Sequence, residues 1–199
     1  MKTSRLLLIA AAVLPMTLAE AQNQPPNPNP PPEPIATVFR NRTGNLRRQI
    51  AQAYDSIPAS KFDFKPTPAQ LTFGYVAQHI TEDSYLFCNQ FSDAKAPRVA
   101  SDTATKDTVR AKWPKDSLVS KMKIAFKFCD DVMANLTDAQ ATAIIEIQQG
   151  GQTVKRARMN FLLGHAMDLQ DHYSQIANYM RLNGMLPPSA LPRPGRGGN

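Results

Sequence analysis

The three histidines of the chain are the residues best placed to do chemistry. His165 and His172 lie in Phe161–Ser189, a stretch that predicts a long helix ending near Asn183. His79 lies in a separate helical stretch. Imidazoles brought from two helices to the inside of a helical protein are typical of a metal site, because neutral imidazole is a strong ligand and helices hold it rigidly. Metal binding is therefore the first hypothesis for this chain.

The spacing of acidic and imidazole side chains in the last predicted helix indicates which of them can share an ion. Asp168 and His172 are four residues apart, so they lie on one helix face about one turn apart. His165 precedes His172 by seven residues, which separates their backbones by about 10 Å along the axis and strains joint ligation. We therefore predict His79, Asp168 and His172 as the ligands, with His165 as the alternative to Asp168.

Two acidic residues follow His79 by three and four positions and can reach the same face of its helix. Glu82 and Asp83 are weak candidates for an acceptor that orients a ligand, a general base or an additional ligand. Two imidazoles and one carboxylate leave coordination positions open, and a divalent cation there can lower the pKa of a water toward neutrality. The motifs of a nucleophilic serine, an HExxH zinc enzyme and a phosphate-binding glycine loop are absent from the sequence, so no catalytic nucleophile is indicated.

Four stretches with apolar residues at helical spacing predict the elements that carry these side chains. They cover residues 36–57, 67–91, 115–136 and 154–182. Thr67 and Pro68 are expected to begin the second helix, as its cap and first residue. The segment from Ala143 to Gln148 is interpreted as either a short strand or a helical turn, and residues 92–114 predict a loop. The expected fold class is all-α, a four-helix bundle.

Apolar residues at steps of three and four define the expected core faces of these helices. In the first helix they are Val38, Leu46, Ile50, Ala53 and Tyr54. In the third helix they are Leu118, Met122, Ala125, Phe126, Cys129, Val132, Met133 and Leu136. In the last helix, Tyr173, Tyr179 and Met180 are expected in the core.

The two ends of the chain differ in composition from the predicted helices. Residues 1–21 combine basic residues, an apolar run and an Ala-x-Ala site, the pattern of a cleaved signal peptide, with an uncleaved anchor as the alternative. Residues 22–35 are rich in proline and predict an extended linker, and residues 191–199 predict a disordered tail. We expect the folded domain at residues 36–190 of a protein exported to the periplasm or secreted.

The charge balance is basic, with 23 basic and 16 acidic side chains and a formal net charge of +7. The basic residues do not alternate with aromatic ones and no nucleic-acid-binding motif is present, so we interpret the charge as a solvated basic face. After the N-terminal segment, no stretch approaches the roughly 20 apolar residues of a membrane-spanning helix. We therefore expect neither a nucleic-acid partner nor stable membrane insertion.

Cys88 and Cys129 are the only cysteines. In an oxidising compartment a disulfide between two neighbouring helices would be stable, but cysteine also packs well as a small buried apolar side chain. The sequence leaves both states open. Two cysteines without CxxC spacing predict neither a zinc knuckle nor a redox pair.

Two sequence blocks resemble the DinB-like superfamily of four-helix metal-binding proteins. The first block is KFDFKPTPAQLTFGYVAQHI at residues 61–80, and the second is DHYSQIANYMRLNGMLPPS at residues 171–189. They stand in the order typical of that superfamily. The resemblance covers nearly all of residues 36–190 and implies a four-helix bundle that holds a divalent metal, zinc or nickel, through three histidines.

The ligand positions implied by the resemblance carry over residue by residue, with one departure. The ligand of the second helix corresponds to His79, and the last ligand of the final helix corresponds to His172, which precedes Tyr173-Ser174-Gln175. The middle ligand corresponds to Asp168, where the superfamily has a histidine. A carboxylate in that position hardens the site and weakens its preference for zinc or nickel.

The resemblance also implies a set of activities, because characterised members include transferases and isomerases that use small thiols. Reduced thiols are scarce outside the cytoplasm, so export argues against a thiol-dependent role. We expect instead a metal-dependent, hydrolase-like enzyme acting on an unidentified small molecule. The alternative is a non-catalytic bundle that binds a ligand or partner and carries a degenerate metal site. A homodimer formed through one helix face is a further expectation.

Overall fold

The structure is a computed structural model that describes residues 32–192 of the 199-residue chain. The predicted signal peptide, nearly all of the predicted linker and most of the predicted tail lie outside the described residues. The described part is mostly helical, with seven α-helices and one two-stranded antiparallel sheet. The helical class is therefore confirmed, while the sheet departs from the all-α expectation.

Four of the helices are long: α1 (Pro34–Ser56), α2 (Phe73–Cys88), α5 (Lys115–Ala134) and α7 (Arg158–Leu182). The elements between them are short: α3 (Ala100–Ala104), α4 (Asp107–Arg110), α6 (Asp138–Thr142), β1 (Ile144–Gln149) and β2 (Gln152–Ala157). Single 3₁₀ turns lie at Ala59–Lys61 and Pro188–Ala190. Both α1 and α2 pack against α5 and α7, so the main apolar core lies between these four helices.

The first predicted helix is present as α1, but its core face differs from the predicted one near the N-terminus. Ile50 and Tyr54 are fully buried as predicted, whereas Val38 is 59% exposed. The largest buried side chain of α1 is Arg47, whose guanidinium lies 2.5 Å from an oxygen of Asp130. Apolar periodicity misses such a residue because it assigns every charged side chain to the solvent.

The second helix begins later than predicted. Thr67 and Pro68 lie in the preceding loop, and Thr72 is the cap, its Oγ1 accepting a hydrogen bond from the backbone N–H three residues on at 3.1 Å. The first two backbone N–H groups of α2 donate to loop carbonyls at residues 62 and 64. These loop carbonyls accept hydrogen bonds from N–H groups at the start of α2, which have no partner within the helix. A helix beginning at residue 67 would not form these bonds.

The polar stretch at residues 92–114 is not a plain loop, because it contains the short helices α3 and α4. Arg110 of α4 donates to the backbone carbonyls of Asp102 at 2.7 Å and Thr105 at 3.0 Å. These bonds connect α4 to α3, and α4 packs against α2. Side-chain donors of this kind hold a segment that has little apolar surface of its own.

The apolar stripe predicted for the third helix is buried, which confirms that prediction, and all of its residues lie in α5 except Leu136, which follows the helix. Cys129 in this stripe forms a disulfide with Cys88 at the end of α2, with 5.3 Å between the Cα atoms. Of the two states that the sequence left open, the structure therefore has the disulfide. The bond joins α2 to α5 near the second, smaller part of the core.

The fourth helix was predicted to begin at Val154, and this prediction is wrong. Val154 lies in β2, where it pairs with Ile147 of β1, and α7 begins only at Arg158. Gly150 and Gly151 form the turn with positive φ values of 59° and 78°, which suit a two-residue hairpin turn. The segment left open as strand or helical turn is thus a strand.

The end of α7 agrees with the sequence. The helix ends at Leu182, and Gly184 follows with a φ of 71°. Tyr173, Tyr179 and Met180 are buried, as expected for core residues. None of the helices in the described part of the chain is long and apolar enough to cross a membrane.

Candidate metal centre

Two neighbouring long helices bring four possible metal ligands together. His79 and Asp83 lie four residues apart on α2, and Asp168 and His172 lie four residues apart on α7. Side chains at this spacing project from one helix face, one turn apart. Since α2 packs against α7, the two faces meet. We call these four residues the His-Asp cluster.

The distances within the His-Asp cluster are short. His79 Nε2 lies 3.2 Å from Asp83 Oδ2, and His172 Nε2 lies 3.2 Å from Asp168 Oδ1. The two imidazole rings are 4.9 Å apart between centroids and nearly perpendicular, at 89°. One ligand atom from each of the four residues lies within 4.8 Å of all the others. A single cation placed among these atoms would need only small side-chain shifts to contact all four.

The cluster lies at the edge of the core. The side chains of His79, Asp83, Asp168 and His172 are 36%, 21%, 18% and 9% exposed, so α2 faces solvent more than α7 does. Asp168 Oδ2 is buried and has no hydrogen-bond partner within the described residues. A buried carboxylate oxygen without a partner is costly; either a cation or a proton shared with the neighbouring Asp83 would satisfy it. The donor set therefore fits a divalent metal, and its α2 side is open to solvent.

A chain of side-chain contacts orients His172. Its Nδ1 lies 3.3 Å from Gln175 Oε1, and Gln175 Nε2 donates to Tyr179 Oη at 2.9 Å. If Nδ1 carries the proton and donates to Gln175, then Nε2 is the nitrogen that faces Asp168 and the cluster. Partners of this kind fix the tautomer and ring orientation of metal-binding histidines.

Without a cation, the charges of the cluster are balanced by protons. Burial raises the pKa of Asp83; the charge of His79 opposes this shift and the nearby charge of Asp168 adds to it. Burial lowers the pKa of His172, but the hydrogen bond and charge of Asp168 outweigh burial, so this pKa is raised above its ordinary value. Both shifts favour the protonated forms, as expected where two carboxylates lie close together.

Glu82 does not join the cluster, in contrast to the expectation that it could reach the same face as His79. Its carboxylate lies 2.6 Å from Arg98 Nη2, on another side of α2. Four residues turn a helix by about 400°, so Asp83 points about 40° past the direction of His79. Three residues turn it by about 300°, so Glu82 points about 60° to the other side of His79. Of the two acidic candidates, the structure brings only Asp83 to the cluster.

His165 lies in the core, away from the His-Asp cluster, so its position does not support the alternative role as a ligand there. It is fully buried, and Arg47 Nη1 donates to its Nε2 at 3.0 Å. The same nitrogen is 3.8 Å from Cys88 Sγ, next to the disulfide. Burial, with the charge of Arg47, lowers the pKa of His165 to about 3, so the imidazole is neutral. Seven residues separate His165 from His172, about 10 Å along the helix axis, so the two imidazoles do not meet at one site, as helix geometry predicts.

Sequence reasoning missed the orienting contacts of Gln175 and Tyr179, although their spacing carried a signal. Gln175 follows His172 by three residues and Tyr179 follows Gln175 by four, so all three lie on one side of α7.

Neither a protein-family model nor a curated protein matches this chain.

Proposed function

We propose that this protein binds a divalent transition-metal ion at the His-Asp cluster. The observation that carries the proposal is the convergence of two imidazoles and two carboxylates, from two different helices, within 4.8 Å of one another. Two further observations support it: among the described residues no donor reaches the buried Oδ2 of Asp168, and His172 is oriented by Gln175.

The types of the ligand atoms indicate which metal ion the site prefers. Imidazole suits zinc, nickel and iron, whereas each added carboxylate shifts a site toward harder ions such as manganese. We propose zinc or nickel as the ion, in keeping with the superfamily that the sequence resembles, with manganese and iron tolerated because Asp168 supplies a hard ligand. His79, Asp168 and His172 would hold the ion, Asp83 would lie beside it with its carboxylate free to accept a proton, and Gln175 would keep His172 in its ligating orientation.

We further propose that the four long helices form a four-helix bundle of the DinB-like type. Its support is that α1 and α2 each pack against α5 and α7, and that the two resembling sequence blocks contribute His79 and His172 to one cluster. Export through the N-terminal segment belongs to the same proposal. Its support is the signal-peptide pattern of residues 1–21, and the Cys88–Cys129 disulfide agrees with it only weakly.

The proposed activity is metal-dependent hydrolysis of a small molecule. A divalent ion bound here would supply Lewis acidity and activate water at neutral pH. The side chains of α2 would act on the exposed side: Asp83 lies beside His79 at 3.2 Å and can accept a proton there if it is not ligated. Substrate would approach from that side, because the α7 residues of the cluster are more deeply buried.

A second candidate function is a non-catalytic helical protein that binds a ligand or partner and holds no ion. One observation favours it: each imidazole already has a carboxylate at 3.2 Å on its own helix, so the cluster can be satisfied as two His-Asp pairs. In that case the four side chains would only strengthen the contact between α2 and α7.

Elemental analysis of the full chain, purified without an affinity tag, separates the two candidates. We expect about one equivalent of metal in the wild type and its loss in both His79→Ala and His172→Ala. Glu82→Gln is the matched control, since Glu82 neighbours His79 in sequence but lies outside the cluster. A wild type that holds no metal, and whose melting temperature does not change when zinc, nickel or manganese is added, would contradict the metal proposal.

A further inference from the structure

A second group of possible metal ligands lies around the disulfide, in the smaller part of the core. The sulfur atoms of Cys88 and Cys129 and a ring nitrogen of His165 lie within 4.8 Å of one another. All three residues are fully buried. They come from α2, α5 and α7, so the group forms only when these three helices pack together. It shares no residue with the His-Asp cluster.

The nitrogen that faces the disulfide already has the spacing of a ligand. His165 Nε2 lies 3.8 Å from Cys88 Sγ. A nitrogen and a thiolate sulfur bound to one ion, at about 2.0 and 2.3 Å, lie roughly 3.5–3.7 Å apart. Once the disulfide is reduced, the two sulfur atoms are free to separate to the roughly 4 Å that two such thiolates take around one ion.

Arg47 sets the protonation state of this nitrogen. Its Nη1 donates to His165 Nε2 at 3.0 Å, so Nε2 carries the lone pair and Nδ1 carries the proton. Burial and the charge of Arg47 lower the pKa of the imidazole to about 3, so the ring is neutral, as a metal ligand must be. Within the described residues, Nδ1 has no hydrogen-bond partner. The ring is therefore a buried polar group that is satisfied at one nitrogen only, and that nitrogen faces the sulfur atoms.

The charges around the disulfide favour a monovalent ion. Two thiolates and Cu(I) together leave one negative charge in excess, whereas a divalent ion would leave none. The Arg47 side chain is 2% exposed and its partner Asp130 is 58% exposed, so solvent screens the carboxylate and the guanidinium can balance the excess charge. The number and type of ligands agree, because closed zinc sites take four protein ligands and soft sulfur ligands select Cu(I).

We propose that the reduced chain binds one Cu(I) ion through Cys88, Cys129 and His165. A dithiol reductant supplies two electrons and two protons to the disulfide and becomes a disulfide itself. Cu(I) then displaces the two thiol protons and keeps its own oxidation state. Arg47 releases His165 Nε2 and donates to the Cys88 thiolate instead. The disulfide is buried, but Cys88 is the last residue of α2, where local opening admits the reductant.

Copper titration of the reduced chain tests this proposal. The full chain, without an affinity tag, would be reduced anaerobically with a phosphine, which is then removed, and Cu(I) would be supplied as its bicinchoninate complex. We expect one equivalent of Cu(I) per chain, with thiolate-to-copper charge-transfer absorption, and no uptake by the oxidised chain. Reduced His79→Ala should take up the same amount, because His79 belongs to the other cluster. No uptake by the reduced wild type, or equal uptake by the oxidised one, would overturn the proposal.

Two variants test the ligands. Cys129→Ser matches the reduced wild type in lacking the cross-link but has only one thiolate, so its Cu(I) affinity should fall by more than about 100-fold. His165→Gln keeps both thiolates and an acceptor for Arg47, and its affinity should fall by about tenfold or more. X-ray absorption should show two sulfurs and one nitrogen around copper in the wild type and two sulfurs alone in His165→Gln. The same affinity and coordination in both would overturn the role of His165.

Thermal melting distinguishes a folded site from thiols of the unfolded chain. An ion that binds the folded arrangement raises the melting temperature, whereas one that binds the unfolded chain lowers it. We expect Cu(I) to raise the melting temperature of the reduced wild type and to leave that of Cys129→Ser unchanged. Binding that does not raise the melting temperature of the reduced wild type would overturn the proposal, even where the stoichiometry is as expected.

Discussion

At the scale of single residues, the His-Asp cluster has two ways to balance its charge. Each imidazole lies 3.2 Å from a carboxylate of its own helix, and protons on His172 and Asp83 are favoured when no cation is present. A cation would replace those protons, since metal ligands must be deprotonated. We therefore expect metal affinity to fall as the pH falls.

Asp168→Asn tests two roles of this carboxylate, as a metal ligand and as the group that raises the pKa of His172. Asparagine keeps the shape but not the charge, so metal affinity should fall by more than the roughly 10- to 100-fold that is lost with a partner of a metal ligand. In the metal-free protein the pKa of His172 should fall as well, because its hydrogen bond to Asp168 and the charge of Asp168 now raise it. Metal titration and NMR titration of the imidazole measure the two effects. Asp171→Asn is the control and should have the smaller effect on both; equal effects would contradict the assigned role of Asp168.

His165 gives a pH dependence of its own. Its pKa in the folded chain is about 3, lowered from 6.5 by burial and then by Arg47, so the unfolded chain binds its proton more readily. The stability contributed by the neutral imidazole is present above pH 6.5 and is lost as the pH falls toward about 3. In His165→Gln, which keeps an acceptor for Arg47, urea denaturation should show a shallower loss of stability between pH 6.5 and pH 4. The same slope as in the wild type would show that another group causes the loss.

At the scale of elements, two helix glycines differ in what surrounds them. A Cβ on Gly74 of α2 would clash with the backbone carbonyl of Ala111, whereas a Cβ on Gly164 of α7 would meet only the movable ring of Phe87. Replacing a helix glycine with alanine otherwise stabilises by about 1 kcal/mol. We expect Gly74→Ala to lower the free energy of unfolding by about 2 kcal/mol or more, and Gly164→Ala to change it by less than about 1 kcal/mol. Urea denaturation compares them, and equal losses would contradict the backbone clash.

Local periodicity predicted the long helices well because their stripes are set by neighbouring residues. The α5 stripe and the buried residues near the end of α7 are examples. The hairpin could not be predicted in the same way, because β2 exists through pairing of Val154 with Ile147 across the turn. In the candidate site, the spacing of four residues predicted that Asp168 and His172 share one face of their helix. Helix geometry favours Asp83 over Glu82 as the neighbour of His79, because it lies nearer the direction of that side chain. Which side of His79 faces α7 depends on how α2 is rotated against α7, and the sequence of α2 alone does not specify this rotation.

At the scale of the whole molecule, α2 is held on two sides. The disulfide joins it to α5, and the His-Asp cluster joins it to α7. The sequence left the disulfide open, and it predicted the meeting of His79 with Asp168 and His172 only from residue types and the family resemblance, since each connection depends on residues far apart in the chain. The buried Arg47–His165 contact beside the disulfide is of the same kind.

The disulfide should make a large contribution to stability. It spans a sequence separation of 41 residues, and closing a loop of that length in the unfolded chain contributes about 4 kcal/mol. We expect the Cys88→Ala, Cys129→Ala double variant to lose about this much in urea denaturation, and reduced wild type to behave similarly. A loss below about 1 kcal/mol would show that the packing of α2 on α5 is sufficient alone.

The turn between β1 and β2 is a suitable position for inserting a purification tag. Nothing lies within 4 Å of a Cβ built at Gly150 or Gly151, and both flanking glutamines are exposed. Exposed loop tips of this type tolerate inserted peptides. A histidine-free epitope spliced between the two glycines would permit purification and surface immobilisation without a polyhistidine sequence that competes for metal.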